Sequence, residues 1–259
     1  MASFTGSSIK SVYKDILHTS NSNTGIGSSI KQITCGDGDT TALHLSDRNA
    51  KVQPSTDTTT NTVIYDADGN ALLTVDSTND LVKAGIGQHS VNTQYANFGF
   101  DYTDATMSAN THYALNHNHS AYQIGLAIGT GTNPDTSLTI ATTGHEVVNH
   151  YWYVMDNITI DRVIWWSGAD AATGDTTRCH LMQYDVDTGN GSTSGDLSSG
   201  IVLADGADIT NAGREQLYYQ QMTVQSSDVN AGKIILFTFR SDSVNSDYSI
   251  NATIKYHLR

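Results

Sequence analysis

Two histidines separated by one residue, His117 and His119, form the pattern in this sequence that best fits a metal site. Residues i and i+2 of a strand point the same way, so both imidazoles would face one side. Three copies of the chain around an axis would then offer enough imidazoles for an octahedral transition metal. Histidines that are solvated in a polar loop or satisfied in a core are the alternative.

A second histidine pair, in His145-Glu-Val-Val-Asn-His150, has the residue types of a zinc protease but not the spacing. That chemistry needs histidines at i and i+4 on a helix, so that both reach one metal. Here the second histidine falls at i+5. Val147, Val148 and the aromatic residues that follow favour a strand, so we do not expect zinc hydrolysis.

Aromatic residues of the second half could form a platform on which a sugar ring stacks. The residues concerned are Trp152, Trp165, Trp166, Tyr218 and Tyr219. Adjacent residues of a strand face opposite sides, so at least one member of each adjacent pair is expected in a core or subunit interface. We take Trp165, Trp166, Tyr218 and Tyr219 as candidate ligand contacts.

Two aspartate-rich segments raise the question of calcium. Asp185 to Asp196 groups several oxygen ligands in one loop, but has equally the composition of an exposed hairpin loop. Asp66-Ala-Asp-Gly-Asn70 lacks the later glycine and glutamate of an EF-hand and reads as a hairpin turn between alternating strands. We expect no obligatory cofactor, with calcium or an axial transition metal as the open alternatives.

Catalytic motifs are absent from the sequence: it has no nucleophile elbow, phosphate loop or dinucleotide fingerprint. Aspartate is plentiful, and a glycan-cleaving enzyme needs two carboxylates at a fixed separation that a sequence does not reveal. We expect a protein that is not an enzyme, and keep a glycan-degrading activity as an alternative.

Composition favours an all-β chain. Among 259 residues there are 22 Gly and 2 Pro, and Glu occurs only at Glu146 and Glu215. The formal charge is −13 and no Lys/Arg cluster occurs, so we expect neither binding to nucleic acid nor insertion into a membrane. No apolar leader is evident, so assembly in a cytoplasm is expected. Cys35 and Cys179 are predicted to be free thiols.

The elements fall into four predicted segments. Residues 1–24 carry a short amphipathic helix, residues 25–90 a collar of small β repeats, residues 91–144 a connecting region, and residues 145–259 an antiparallel β-sandwich of jelly-roll type. The helix would dock on its own subunit or its copies, or attach the chain to a larger assembly, through the spaced apolar residues Ile9, Val12, Tyr13, Ile16 and Leu17.

Two of these segments have the clearest local signals. In the collar, a hairpin over residues 61–76 cannot bury its own strands, which predicts packing against copies of itself. In the sandwich, alternate residues from Tyr248 to Leu258 are apolar while their neighbours are polar, which predicts a strand with one dry and one wet side.

Three short units carry a resemblance to known proteins: Ser11-Val-Tyr-Lys-Asp-Ile-Leu17, Tyr65-Asp-Ala-Asp-Gly-Asn-Ala-Leu-Leu-Thr-Val-Asp76 and Asn79-Asp-Leu-Val-Lys-Ala-Gly-Ile86. Together with the closing strands, they resemble virion structural proteins of tailed bacteriophages, especially marine ones. The likeness is to the trimeric fibre, spike and head-decoration class. It covers nearly the whole chain in organisation, although none of the units is a strict signature.

The resemblance implies a homotrimer in the virion that attaches to other virion proteins by its N-terminal region, from Ile9 to Leu17. The domain after about Gly144 would be the head, whose loops contact a host glycan or protein. Similar fibre tips use an H-x-H pattern, such as that of His117 and His119, to hold a metal. No long shaft appears, so a capsid decoration protein that stabilises the shell is as open as a fibre.

Overall fold

The computed structural model describes residues 17–19, 24–101, 107–118, 126–130, 148–169, 173–243 and 248–259. Within those ranges the regular secondary structure consists of β-strands, and the strands pair antiparallel. The chain divides into two compact units, Met1–Asn92 and Thr93–Arg259. The predicted helix lies outside the described residues except for Leu17, which is exposed and directly precedes the first strand.

Unit 1 contains two small sheets with the same layout, each formed by four strands in chain order. Sheet I consists of β1 (His18–Thr19), β2 (Lys31–Thr34), β3 (Thr40–Leu45) and β4 (Ala50–Val52). Sheet II consists of β5 (Thr62–Tyr65), β6 (Ala71–Asp76), β7 (Leu81–Ala84) and β8 (His89–Ser90). The two segments of similar sequence therefore have similar folds.

The hairpin between β5 and β6 shows why the turn sequence matters. The Asp66 carboxylate accepts hydrogen bonds from the backbone of Asp68 (2.9 Å) and Asn70 (2.8 Å) and from the Asn70 amide (2.9 Å). Gly69 has a φ of 83°, which favours glycine. The predicted hairpin is confirmed, and its carboxylate is used to close the turn.

Unit 2 contains two larger sheets. Sheet III consists of β10 (Thr111–Ala114), β12 (Leu126–Thr130), β13 (Trp152–Tyr153), β15 (Thr176–Val186), β16 (Leu197–Asp205), β17 (Ile209–Thr210), β19 (Thr223–Val224) and β21 (Ile234–Ser241). Sheet IV consists of β9 (Thr93–Asp101), β11 (Asn116–His117), β14 (Ile158–Ala169), β18 (Gln216–Gln221), β20 (Asp228–Val229) and β22 (Tyr248–Leu258).

Sheets III and IV face each other across one apolar core. Aromatic side chains join them: the rings of Phe98 and Phe237 lie 6.1 Å apart, and those of Phe100 and Phe239 lie 6.0 Å apart. Strand β22 alternates between buried and more exposed residues, so its predicted dry and wet sides are confirmed. The outward residues of sheet IV are consequently held on a rigid, well-packed base.

Strand β21 is buried on both sides, since all eight of its residues are buried. Phe237 and Phe239 belong to the core between the sheets, whereas Ile234 and Leu236 belong to a second apolar cluster with Met182. Sheet III is therefore covered on its outer side as well.

The region predicted as a connection, residues 91–144, supplies four strands of unit 2 in the part that the structure describes. Strand β9 pairs with β22, and β10 pairs with β21. The sequences of these strands are interrupted by Gly, Asn and His, and the strands pair with partners near the far end of the chain. The predicted connection differs from the structure for that reason.

Candidate functional site

The outward face of sheet IV is the most distinctive surface of unit 2. Alternate residues of β9, β22, β14 and β18 point away from the core, and the antiparallel register places them in rows across the sheet. One row contains Tyr219, Trp166, Asn251 and Gly99. These rows bring together side chains that are distant in the sequence.

Two aromatic rings form the centre of this face. Trp166 is 38 % exposed and Tyr219 is 46 % exposed, and their ring centroids lie 4.7 Å apart at 53°. Arg162 donates a hydrogen bond from Nη2 to the Tyr219 hydroxyl over 3.3 Å. The pair presents a partly open aromatic surface with a polar rim.

A depression of about 340 Å³ lies beside Trp166. Gly168, Ser249 and Asn251 contribute to its lining, and Leu217 borders it. A Cβ added at Gly168 would meet only the Gln216 carbonyl oxygen, at 3.8 Å. The backbone would therefore tolerate a side chain at position 168, and the absence of one at Gly168 helps to keep the depression open.

Beyond the aromatic pair, the face becomes polar and then cationic. Thr253 donates a hydrogen bond to Asn97 Oδ1 over 3.0 Å in the row next to Trp166. In the following row Arg162 lies opposite Lys255, which in turn lies opposite Tyr95. Ile164 of β14 also lies in the row of Thr253, so the face runs from aromatic rings through a mixed apolar and polar row to positive charge.

Two of the four predicted contact residues turn away from this surface. Trp165 is fully buried and donates from Nε1 to Gln220 Oε1 over 3.2 Å. Tyr218 is half-buried, accepts a hydrogen bond from the Ala212 amide (2.6 Å) and donates to Gln216 Oε1 (2.8 Å). The adjacent aromatics face opposite sides as expected, and the candidate ligand contacts that remain on the outward face are Trp166 and Tyr219.

The predicted histidine pair is described only at His117, because His119 lies outside the described residues. The His117 ring packs between two aromatic rings, with centroid distances of 5.1 Å to Phe98 and 6.1 Å to Trp152. Burial lowers the pKa of His117. Metal binding by the pair stays a prediction. Within the described ranges, no three His, Cys, Asp or Glu side chains converge on a common metal position.

In the acidic segment Asp185–Asp196, Asp187 is bonded within the loop that follows β15, and Asp185, at the end of β15, is bonded to a residue outside the segment. Asp187 accepts hydrogen bonds from the Gly189 amide (2.8 Å) and the Thr193 hydroxyl (2.6 Å), and Asp185 pairs with Lys233. These bonds lower the pKa of both carboxyl groups. The loop has the internal bonding of a closed hairpin connection.

Sequence reasoning missed a buried polar cluster on sheet III. The rings of His112 and His180 lie 5.6 Å apart, and His180 Nε2 lies 3.1 Å from Asp205 Oδ1 without the alignment of a hydrogen bond. Arg178 donates to both Asp205 oxygens, from Nε (3.2 Å) and Nη2 (2.8 Å). Burial lowers the pKa of His180 to about 3, helped by His112, Arg178 and Arg240 and opposed by Asp205. His180 is thus neutral at ordinary pH.

No protein-family model matches the chain, and no curated protein sequence matches it significantly. In the part of the chain that the structure describes, no helix has the length and apolar character needed to cross a bilayer. The candidate site therefore has to be interpreted from its own chemistry.

Proposed function

We propose that the protein is a non-enzymatic structural protein of a phage particle, which self-associates through unit 1 and contacts glycans through the outward face of sheet IV. The observation that carries the adhesive role is the exposed Trp166–Tyr219 pair beside an open depression. The virion assignment is supported by the resemblance described above.

The chemistry of the depression suits a sugar. A pyranose presents an apolar ring face, which stacks on an indole or phenol ring, and an equatorial rim of hydroxyl groups. Ser249 and Asn251 lie where that rim would fall and carry hydroxyl and amide groups. The volume of about 340 Å³ lies at the lower end of the range of ligand sites, which fits one or two sugar rings rather than a large molecule.

Self-association is supported by how little unit 1 buries. Among its described residues, Ile33 is the only buried hydrophobic side chain, and it keeps 6 % exposure. On sheet II the register places Ile64, Leu73, Val75 and Val82 on one face, where Ile64 is 52 % and Val82 is 37 % exposed. Small sheets of this kind need a partner surface, and we propose that further copies of the chain, as a homotrimer, provide it.

Light scattering coupled to size-exclusion chromatography tests the self-association. The wild-type chain should elute as a trimer, and the double substitution Ile64→Asp and Val82→Asp should give a folded monomer. Lys51→Asp, at another exposed position of unit 1, is the matched control for added negative charge. A monomeric wild-type protein would overturn this part of the proposal.

A glycan array tests the adhesive role. Trp166→Ala should lose binding at least tenfold, while Tyr153→Ala, which removes an exposed aromatic ring of sheet III, should bind as the wild type does. Equal binding by the Trp166→Ala and wild-type proteins would refute the site.

Imaging of the assembled particle separates a tail fibre or spike from a decoration protein, which would cover the whole shell.

A further inference from the structure

We infer that the ligand of this face is an acidic oligosaccharide, whose carboxylate or sulfate binds between Arg162 and Lys255 while a neighbouring ring stacks on Trp166. This inference rests on the proposed function, because it assumes that the face binds glycans. It adds the class of the ligand.

The two cations are placed as an unusual pair. Arg162 of β14 and Lys255 of β22 are directly opposite each other in the register and both point outward. Like charges directly opposite each other on neighbouring strands destabilise a sheet. An anion bound between them would reverse the sign of that contribution.

In the described part of the chain, neither cation forms an ion pair. Arg178, Lys233 and Arg259 of the same unit are each paired with aspartate, whereas Arg162, Lys255, Arg214 and Arg240 are not paired with any described carboxylate. The carboxylates closest in sequence and register are Asp161 and Asp228. Asp161 Oδ1 lies 2.8 Å from His257 Nδ1, and Asp228 accepts from Thr159 (2.9 Å) and Arg259 (3.1 Å). For a chain with a net charge of −13, two uncompensated cations on one face are notable.

The cationic row is physically joined to the aromatic pair. Arg162 donates to the Tyr219 hydroxyl, and the Tyr219 ring lies 4.7 Å from Trp166, so the guanidinium lies at the edge of the platform. Arg162 and Trp166 are four positions apart along β14, about 13 Å of extended backbone. The row between them carries the apolar Ile164 of β14, with Gln221 on one side and Thr253 and Asn97 on the other. The three polar side chains suit sugar hydroxyl groups. An oligosaccharide lying along β14 would meet rings, then an apolar residue flanked by hydroxyl and amide groups, then positive charge.

Calorimetric titration with matched sugars tests the inference. The probes are trigalacturonate, trimannuronate and sialyllactose, each compared with its neutral methyl ester, which keeps the rings and removes the charge. At least one acid should bind tenfold or more tightly than its ester, and its affinity should fall with added salt.

Charge-removing variants locate the effect. Arg162→Gln and Lys255→Gln should each reduce the affinity for that acid at least fivefold and leave binding of its ester unchanged, while Lys51→Gln should have no effect. If no acid binds more tightly than its ester, or if the preference survives both substitutions, the inference is wrong. Neutral sugars that bind in a Trp166-dependent way would then leave the proposed function standing, and binding that ignores Trp166 would remove both.

Discussion

Replacing Trp165 with alanine should destabilise unit 2 far more than the same replacement at Trp166, its neighbour on β14. Trp165 is fully buried in the core between the sheets, and its indole N–H is bonded to Gln220. Removal of a buried tryptophan costs about 3–5 kcal/mol. Trp166 packs on one side against Tyr219 and is 38 % exposed, so its removal should cost about 1–2 kcal/mol.

Chemical denaturation followed by far-ultraviolet circular dichroism and by tryptophan fluorescence measures this difference. All three tryptophans of the chain, at positions 152, 165 and 166, lie in unit 2, so the fluorescence of those that remain reports that unit. Trp165→Phe, which keeps a ring but loses the hydrogen bond to Gln220, should fall between the two alanine variants.

The midpoints of these two ranges differ by about 2.5 kcal/mol, which corresponds to more than a tenfold change in the folding equilibrium constant. Equal destabilisation by Trp165→Ala and Trp166→Ala would refute the assignment of inward and outward faces on β14. It would also remove the basis for placing a ligand on Trp166, because an equally buried ring has no face to offer.

Three further outcomes are expected. Burial lowers the pKa of His180, His117 and His150 in the folded protein, so below about pH 6.5 the unfolded chain binds more protons than the folded one. The free energy of unfolding should therefore fall as the pH is lowered from about 6.5 to about 4, which urea unfolding midpoints across that range test. His180→Gln should make that dependence on pH shallower. Gly168→Val should change the free energy of unfolding by no more than about 0.5 kcal/mol, since the added Cβ makes only an ordinary contact with the Gln216 carbonyl oxygen at 3.8 Å, yet it should reduce sugar binding at least tenfold by filling the depression; unaltered binding would contradict the location of the site. In a thiol titration of the native protein, half-buried Cys35 should react first and Cys179 only after unfolding, because burial raises the pKa of the Cys179 thiol; fast reaction of both would contradict the core position of Cys179.

Local patterns were sufficient for part of the fold. The hairpin of β5 and β6 and the alternation of β22 depend on neighbouring residues only, namely turn formers and a period of two. Strands β9 and β10 could not be predicted in this way. They depend on pairing with β22 and β21 near the other end of the chain, and pairing at long range leaves no local signal.

The candidate site shows the same limit. The sequence indicates that Trp165 and Trp166 face opposite sides, but it does not indicate which one faces outward. An irregularity between Ile160 and Arg162 shifts the register of β14 against β22 and thereby sets the phase of the residues that follow. Gly168 and Lys255 join the site only through strand pairing, so neither could be found from a motif.

Strand β21 has a consequence for how the protein is made. Its segment Ile234–Phe239 is apolar apart from Thr238, rich in β-forming residues and free of charge and proline, which is the composition of segments that aggregate when exposed. Lys233 and Arg240 flank it, as charged residues commonly do beside such segments. The strands with which it pairs, β10, β13 and β15, all precede it in the chain. When this segment leaves the ribosome its partners have already been synthesised, which shortens the time in which it can associate with another nascent chain.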